Sequence, residues 1–126
     1  MPLGLYAGLL TLLYIALTFR TIGARRRAQQ ALGDGGDRLL QRAMRAHGNF
    51  MEYVPLALIL LFMLQQQGAA SWLIHLLGSA LFLGRAIHAV GISQQPEPLK
   101  LRVTGMLLTL LTLFSSALLL IINAVF

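Results

Sequence analysis

Four apolar runs occupy most of this chain, and their length constrains the fold before any single residue is considered. A helix that crosses a hydrocarbon core of roughly 30 Å needs about 20 predominantly apolar residues. The sequence offers Leu3–Phe19, Ala46–Leu64, Ala70–Ile92 and Leu101–Val125. With 57% hydrophobic and 11% charged residues in 126, the chain is far more apolar than a soluble domain of this size. The expected fold is therefore all-α, a single integral-membrane four-helix bundle over residues 1–126. Nothing basic precedes the first run and three more spans follow it, so it reads as a permanent helix rather than a secretory signal.

The formal net charge of +6 suggests nucleic acid until the charges are located. Arg20, Arg25, Arg26, Arg27, Arg38, Arg42 and Arg45 surround the first loop, with Asp34 and Asp37 opposing them, and Lys100 and Arg102 open the fourth run. The turn QQQGAAS between runs two and three carries no charge. Loops one and three must lie on the same side of a four-span protein, so all the basic residues gather there. The positive-inside rule makes that side the cytoplasm and puts both termini outside it, as expected of a bacterial inner-membrane protein. Juxtamembrane arginines account for the charge through lipid, and no nucleic-acid partner is expected. The absence of cysteine excludes disulfides, thiolate metal sites and a cysteine nucleophile, and no metal is expected.

The first loop contains GDGGD, in which Asp34 or Asp37 is placed to cap a helix running from about Arg38 to Gln66. No strand precedes these glycines and no P-loop lysine follows, so a phosphate cradle is not expected. In the third loop, SQQPEPLK, Pro96 and Pro98 end the third helix. Gly78, Ser79 and Gly84 are small residues of the kind that let helices approach closely in lipid.

The second run carries the chemistry. Only Tyr53 to Leu64 follow Glu52 before the glutamines, too few to span alone, so Glu52 lies inside the membrane segment. A charge at the bilayer centre costs about 2.5–3.5 kcal/mol on insertion scales, and such a residue faces a partner or water. On a helix, Arg42, Arg45, Asn49, Glu52 and Tyr53 fall within an arc of roughly 100°, whereas His47 falls outside it and is expected to pack against a neighbouring helix or the interface. Arg85 and His88 lie near the same end of the third run, and Arg102 opens the fourth. Interfacial arginines that only snorkel to phosphates are the structural alternative, and Arg25, Arg26, Arg27, Arg38 and Lys100 fit it. His75, near the other side, reads as structural or interfacial. A ligand suited to the remaining groups carries carboxylates for the arginines and an amine for Glu52.

The pattern R-x-x-R-A-H-x-N-x-x-E-Y-x-P, here Arg42, Arg45, Ala46, His47, Asn49, Glu52, Tyr53 and Pro55, resembles the MAPEG family, the membrane-associated proteins in eicosanoid and glutathione metabolism. Arg85 and His88 as R-x-x-H, and Arg102, support it across essentially the whole chain. The resemblance implies a homotrimer with glutathione, as cosubstrate, at subunit interfaces near the cytoplasmic side. Arg45, Asn49, Glu52, Tyr53, Arg85 and His88 would hold the tripeptide, and Arg102 would stabilise its thiolate for attack on a lipophilic small molecule arriving through membrane lipid. Departures at Gly48, Ile92 and Met106 argue against specialised eicosanoid synthesis and for a detoxification-type transferase or peroxidase. A small multidrug or proton-coupled transporter is the rival reading, although its class places a glutamate in the first helix, and none lies between Leu3 and Phe19. A non-catalytic membrane scaffold is the other.

Overall fold

The computed structural model describes residues 1–126 as four helices: α1, Leu3–Ala28; α2, Arg38–Gln66; α3, Ser71–Ser93; and α4, Leu99–Val125. Even α3, with 23 residues, is roughly 35 Å long at 1.5 Å per residue, enough to cross a bilayer. Of 103 backbone hydrogen bonds, 88 lie within the helices, so few main-chain polar groups are left for lipid to meet. Large side chains such as Leu12, Phe19, Leu107, Phe114 and Ile121 stand exposed around the bundle. In water that surface would drive aggregation; against acyl chains it is the solvated face.

The first helix corrects the expected boundary, because α1 continues nine residues beyond Phe19 and reduces the connection to residues 29–37. Arginine is a good helix former, and its long side chain reaches polar surroundings from a helical backbone, so hydropathy marked the membrane edge and not the helix end. Arg25, Arg26 and Arg27 occupy the last turn, where cations complement the helix dipole. Gln29 then turns left-handed with φ 53°, and Arg25 Nη1 donates to the carbonyls of Gln30, Ala31 and Gly33 at 3.2, 3.3 and 2.9 Å. Asp37, not Asp34, caps α2, its Oδ1 accepting from Leu40 N at 2.8 Å. Asp34 instead accepts from Gly36 N within the turn.

The centre of the bundle is α2 and α3, with α1 and α4 on opposite flanks and out of contact with each other. Along α2 the buried residues Leu40, Ala43, Ala46, Phe50, Val54, Ala57, Leu61 and Leu64 recur at intervals of three and four, the period that keeps one stripe inward. Leu10 and Leu17 of α1 and Ile74, Leu81 and Ile92 of α3 complete the core. Lipid is as apolar as leucine, so close packing must hold the helices together. The tightest seam is α3 against α4: a Cβ built on Gly105 would stand 2.5 Å from both Gly84 O and His88 N. Thr109 and Thr112, buried on the same helix, return their hydroxyls to the Gly105 and Leu108 carbonyls.

At the end away from the arginines, Tyr6 OH lies 2.8 Å from His75 Nδ1 and 2.9 Å from Ser79 Oγ, tying α1 to α3. Asn123 Nδ2 donates to Gln67 Oε1 at 3.1 Å and ties α4 to the α2–α3 turn. His75 therefore has a structural partner.

Candidate functional site

The basic residues converge on one end of the bundle because the last turns of α1, the start of α2, the end of α3 and the start of α4 meet there. The unpaired carbonyls at the end of α3 attract two of them. Arg42 Nη1 donates to Ile92 O at 3.1 Å, and Arg20 donates to Ser93 O at 3.4 Å and to the Ser93 hydroxyl. These contacts pin both α1 and α2 to the end of α3.

Beside this joint lies a cavity of about 340 Å³, lined by Arg38, Gln41, Arg42 and Arg45 of α2, Ile92 of α3, Gln95 and Glu97 of the following loop, and Arg102 of α4. That volume is at the lower end of the range for small-molecule pockets. Four guanidiniums face one carboxylate, which leaves a strong positive excess. Glu97 Oε1 accepts from Arg102 Nη1 at 2.9 Å, and its other oxygen lies 3.4 Å from Arg42 Nη1. The hydrogen bond from Arg102 holds the Glu97 carboxyl below the usual carboxylate range, helped by both arginine charges and opposed by partial burial.

The anticipated site residues fall into three groups. Arg45 and Arg102 share the pocket. Asn49 and Arg85 meet deeper in the bundle, where Arg85 Nη1 donates to Asn49 Oδ1 at 2.7 Å. Arg85 is 1% exposed, and its Nε and Nη2 are buried with no acceptor from the chain. Asn49 is thus the residue through which the chain holds this buried cation. Glu52 reaches only Arg45, at 3.3 Å, and with side-chain exposures of 50% and 56% the pair contributes little to stability. Tyr53 is half-buried on the same helix, and His88 is buried one turn beyond Arg85, but neither lines the pocket.

His47 turns to α1, its Nε2 lying 3.1 Å from Thr18 Oγ1 and its ring stacked on Tyr14 with centroids 5.0 Å apart. Sequence reasoning missed Glu97, Gln41 and Gln95, and it read Arg38, which also lines the pocket, as an interfacial arginine only. Only Glu97 left a signal, as the sole acid in a loop otherwise followed by Lys100 and Arg102.

The model of the MAPEG family matches residues 3–122. The chain belongs to the MAPEG family. Among curated relatives, the inner membrane protein YecN of Escherichia coli is 40% identical over 87 residues, which is 69% of this chain and 66% of that protein. YecN of a second Escherichia coli strain matches to the same extent. The match thus spans just under two thirds of the relatives' length. No solved structure matches the chain. With four apolar helices and an inner-membrane relative, this MAPEG member is a multi-pass bacterial inner membrane protein.

Proposed function

We propose that this protein binds glutathione at the basic end of its bundle and uses the thiol as a nucleophile toward lipophilic electrophiles, as a glutathione S-transferase or peroxidase. The observation that carries the reading is the convergence of Arg45 from α2 and Arg102 from α4 on one positively charged pocket at the membrane edge. The arginines receive the tripeptide's carboxylates, and Glu52 receives its amine.

Arg102 supplies the chemistry. A free thiol has a pKa of about 8.5, so only a few per cent is thiolate at neutral pH; a neighbouring cation raises that fraction. In conjugation the thiolate sulfur forms a bond to an electrophilic carbon, the leaving group departs with the bonding pair, and the thiol proton passes to solvent. In this reading the basic end is cytoplasmic, and the electrophile arrives from lipid.

The exposed Arg45–Glu52 pair lies beside exposed Met51 and Leu56, and in the homotrimer that the family resemblance implies a second copy would cover that face. The Arg102–Glu97 ion pair favours a second reading, a glutathione-binding scaffold without turnover, because it offsets the cation the thiolate needs.

Calorimetric titration with glutathione tests the binding. Wild type should bind, and Arg45→Ala and Glu52→Gln should each bind more weakly; unchanged affinity in both variants refutes the site. Conjugation of an activated aryl halide separates the enzyme from the scaffold. Substrate uptake driven by an ion gradient, with no glutathione present, would instead identify a transporter.

A further inference from the structure

Glu97 is the sole carboxylate in the wall of the arginine pocket, and the chain holds it there. Pro96 and Pro98 flank it, each with a fixed φ and no backbone N–H, and Pro98 forms the cap of α4. Its side chain is 19% exposed and bridges Arg42 and Arg102, which come from different helices. The other two guanidiniums are arranged differently. Arg38 makes no ion pair, and the acid partner of Arg45 is Glu52, outside the pocket. Two of the pocket's four guanidiniums are thus already paired with an anion of the pocket's own wall, and the other two are not.

We propose that Glu97 is an internal stand-in for the ligand's anionic groups: it occupies the seat between Arg42 and Arg102 in the free protein and gives it up when ligand binds. The proposal rests on the glutathione reading of the pocket and deepens it by naming the residue that sets affinity and charge selectivity. A ligand with one carboxylate can use Arg38 and Arg45 without disturbing Glu97. A ligand that brings a second anionic group must displace Glu97 from Arg42 and Arg102, exchanging one ion pair for another at nearly constant charge. In that exchange the ligand's carboxylate takes Arg42, and the Arg102 cation that Glu97 releases faces the reacting thiol, so its charge reaches the sulfur only when the pocket is filled. The arrangement keeps the arginines from holding stray anions and makes affinity depend on the whole ligand.

The test is calorimetric titration of the detergent-solubilised protein with glutathione, with its diethyl ester and with glutarate, on wild type and Glu97→Gln. The variant should bind glutathione on the order of five- to tenfold more tightly, the range expected when a partly buried competing ion pair is removed. The diester, which has no free carboxylate, should bind both proteins alike. Equal or weaker binding of glutathione by Glu97→Gln overturns the exchange and makes Glu97 a structural clip. If neither protein binds glutathione, the glutathione reading fails, and glutarate judges the exchange by itself: tighter binding by Glu97→Gln upholds it, and equal, weaker or undetectable binding overturns it. Should Glu97→Gln not fold, Glu97→Asp keeps the charge but withdraws the carboxylate by one methylene, and the same directions apply.

Discussion

Arg85 and Asn49 form a polar bridge across the α2–α3 seam, the Arg85 guanidinium donating to Asn49 Oδ1 at 2.7 Å while only 1% of the arginine is exposed. This is the main acceptor the chain gives a buried cation, since the further contact to Asn49 O is long, at 3.4 Å. Neutral interhelical hydrogen bonds in bilayers average about 0.6 kcal/mol, but a bond to a charged group is worth about 1.5–3 kcal/mol. The higher range applies here, because the donor is a buried guanidinium and Asn49 Oδ1 is its one short acceptor from the chain. Asn49→Ala should destabilise the protein by about 2 kcal/mol in reversible unfolding from mixed micelles. The double variant Asn49→Leu with Arg85→Met, which removes both polar partners, should recover part of that loss. A single variant as stable as wild type would show that the guanidinium finds water or lipid phosphate instead.

The contact between Gly84 and Gly105 predicts a position intolerant of even one methyl. An added Cβ at Gly105 meets backbone of α3 at 2.5 Å, and backbone cannot rotate away as a side chain can. Gly105→Ala should therefore force α4 from α3, at a cost of about 1–3 kcal/mol despite alanine's better helix propensity. Arg102 sits on the same helix less than one turn away, so glutathione binding should weaken as well. Gly8→Ala, with nothing within 4 Å of the added carbon, is the control that should be neutral or slightly stabilising. Equal thermal midpoints for the two variants would contradict the packing.

Acid should release the loop that carries Glu97. Its carboxyl titrates below the ordinary value of 4.5 because Arg102 hydrogen-bonds to it and Arg42 and Arg102 favour the anion. A depressed folded-state pKa means a contribution fully present above 4.5 and lost as the pH falls through the lower folded value. Wild type should then lose thermal stability below that pH more steeply than Glu97→Gln, and the two curves should converge in acid. Parallel acid limbs in both proteins would mean that the ion pair adds nothing to folding.

The sequence and the structure agree where a signal is local. An aspartate ahead of an apolar stripe, Asp34 or Asp37, marks the start of α2, with the structure selecting Asp37, and one helical turn after another carries Arg45, Asn49 and Glu52 onto neighbouring positions of one face. What was not legible depends on how helices rotate against each other. No spacing within α2 or α3 says that Asn49 will meet Arg85, leaving Glu52 to Arg45 alone. The end of α1 was missed for another reason, since hydropathy reports where lipid ends and an arginine-rich helix can continue beyond it. Glu97 was visible as a lone acid, but its two partners come from α2 and α4, and only the fold of the loop brings them within reach.

The role of Arg102 can be separated from mere anchoring by the pH dependence of conjugation. If its cation stabilises the thiolate, Arg102→Ala should move the rising limb of the pH–rate profile upward by about one unit, toward the free-thiol value near 8.5, and lower the rate at pH 7 about tenfold. Arg102→Lys keeps a positive charge at the same position and should keep most of the limb's position, though not the geometry of the Glu97 contact. Arg42→Ala, which removes the other Glu97 partner, should raise KM with little movement of the limb, because Arg42 faces a carboxylate and not the sulfur in this reading. A limb that stays in place in Arg102→Ala would make Arg102 an interfacial partner of Glu97 and leave the scaffold as the better account of the pocket.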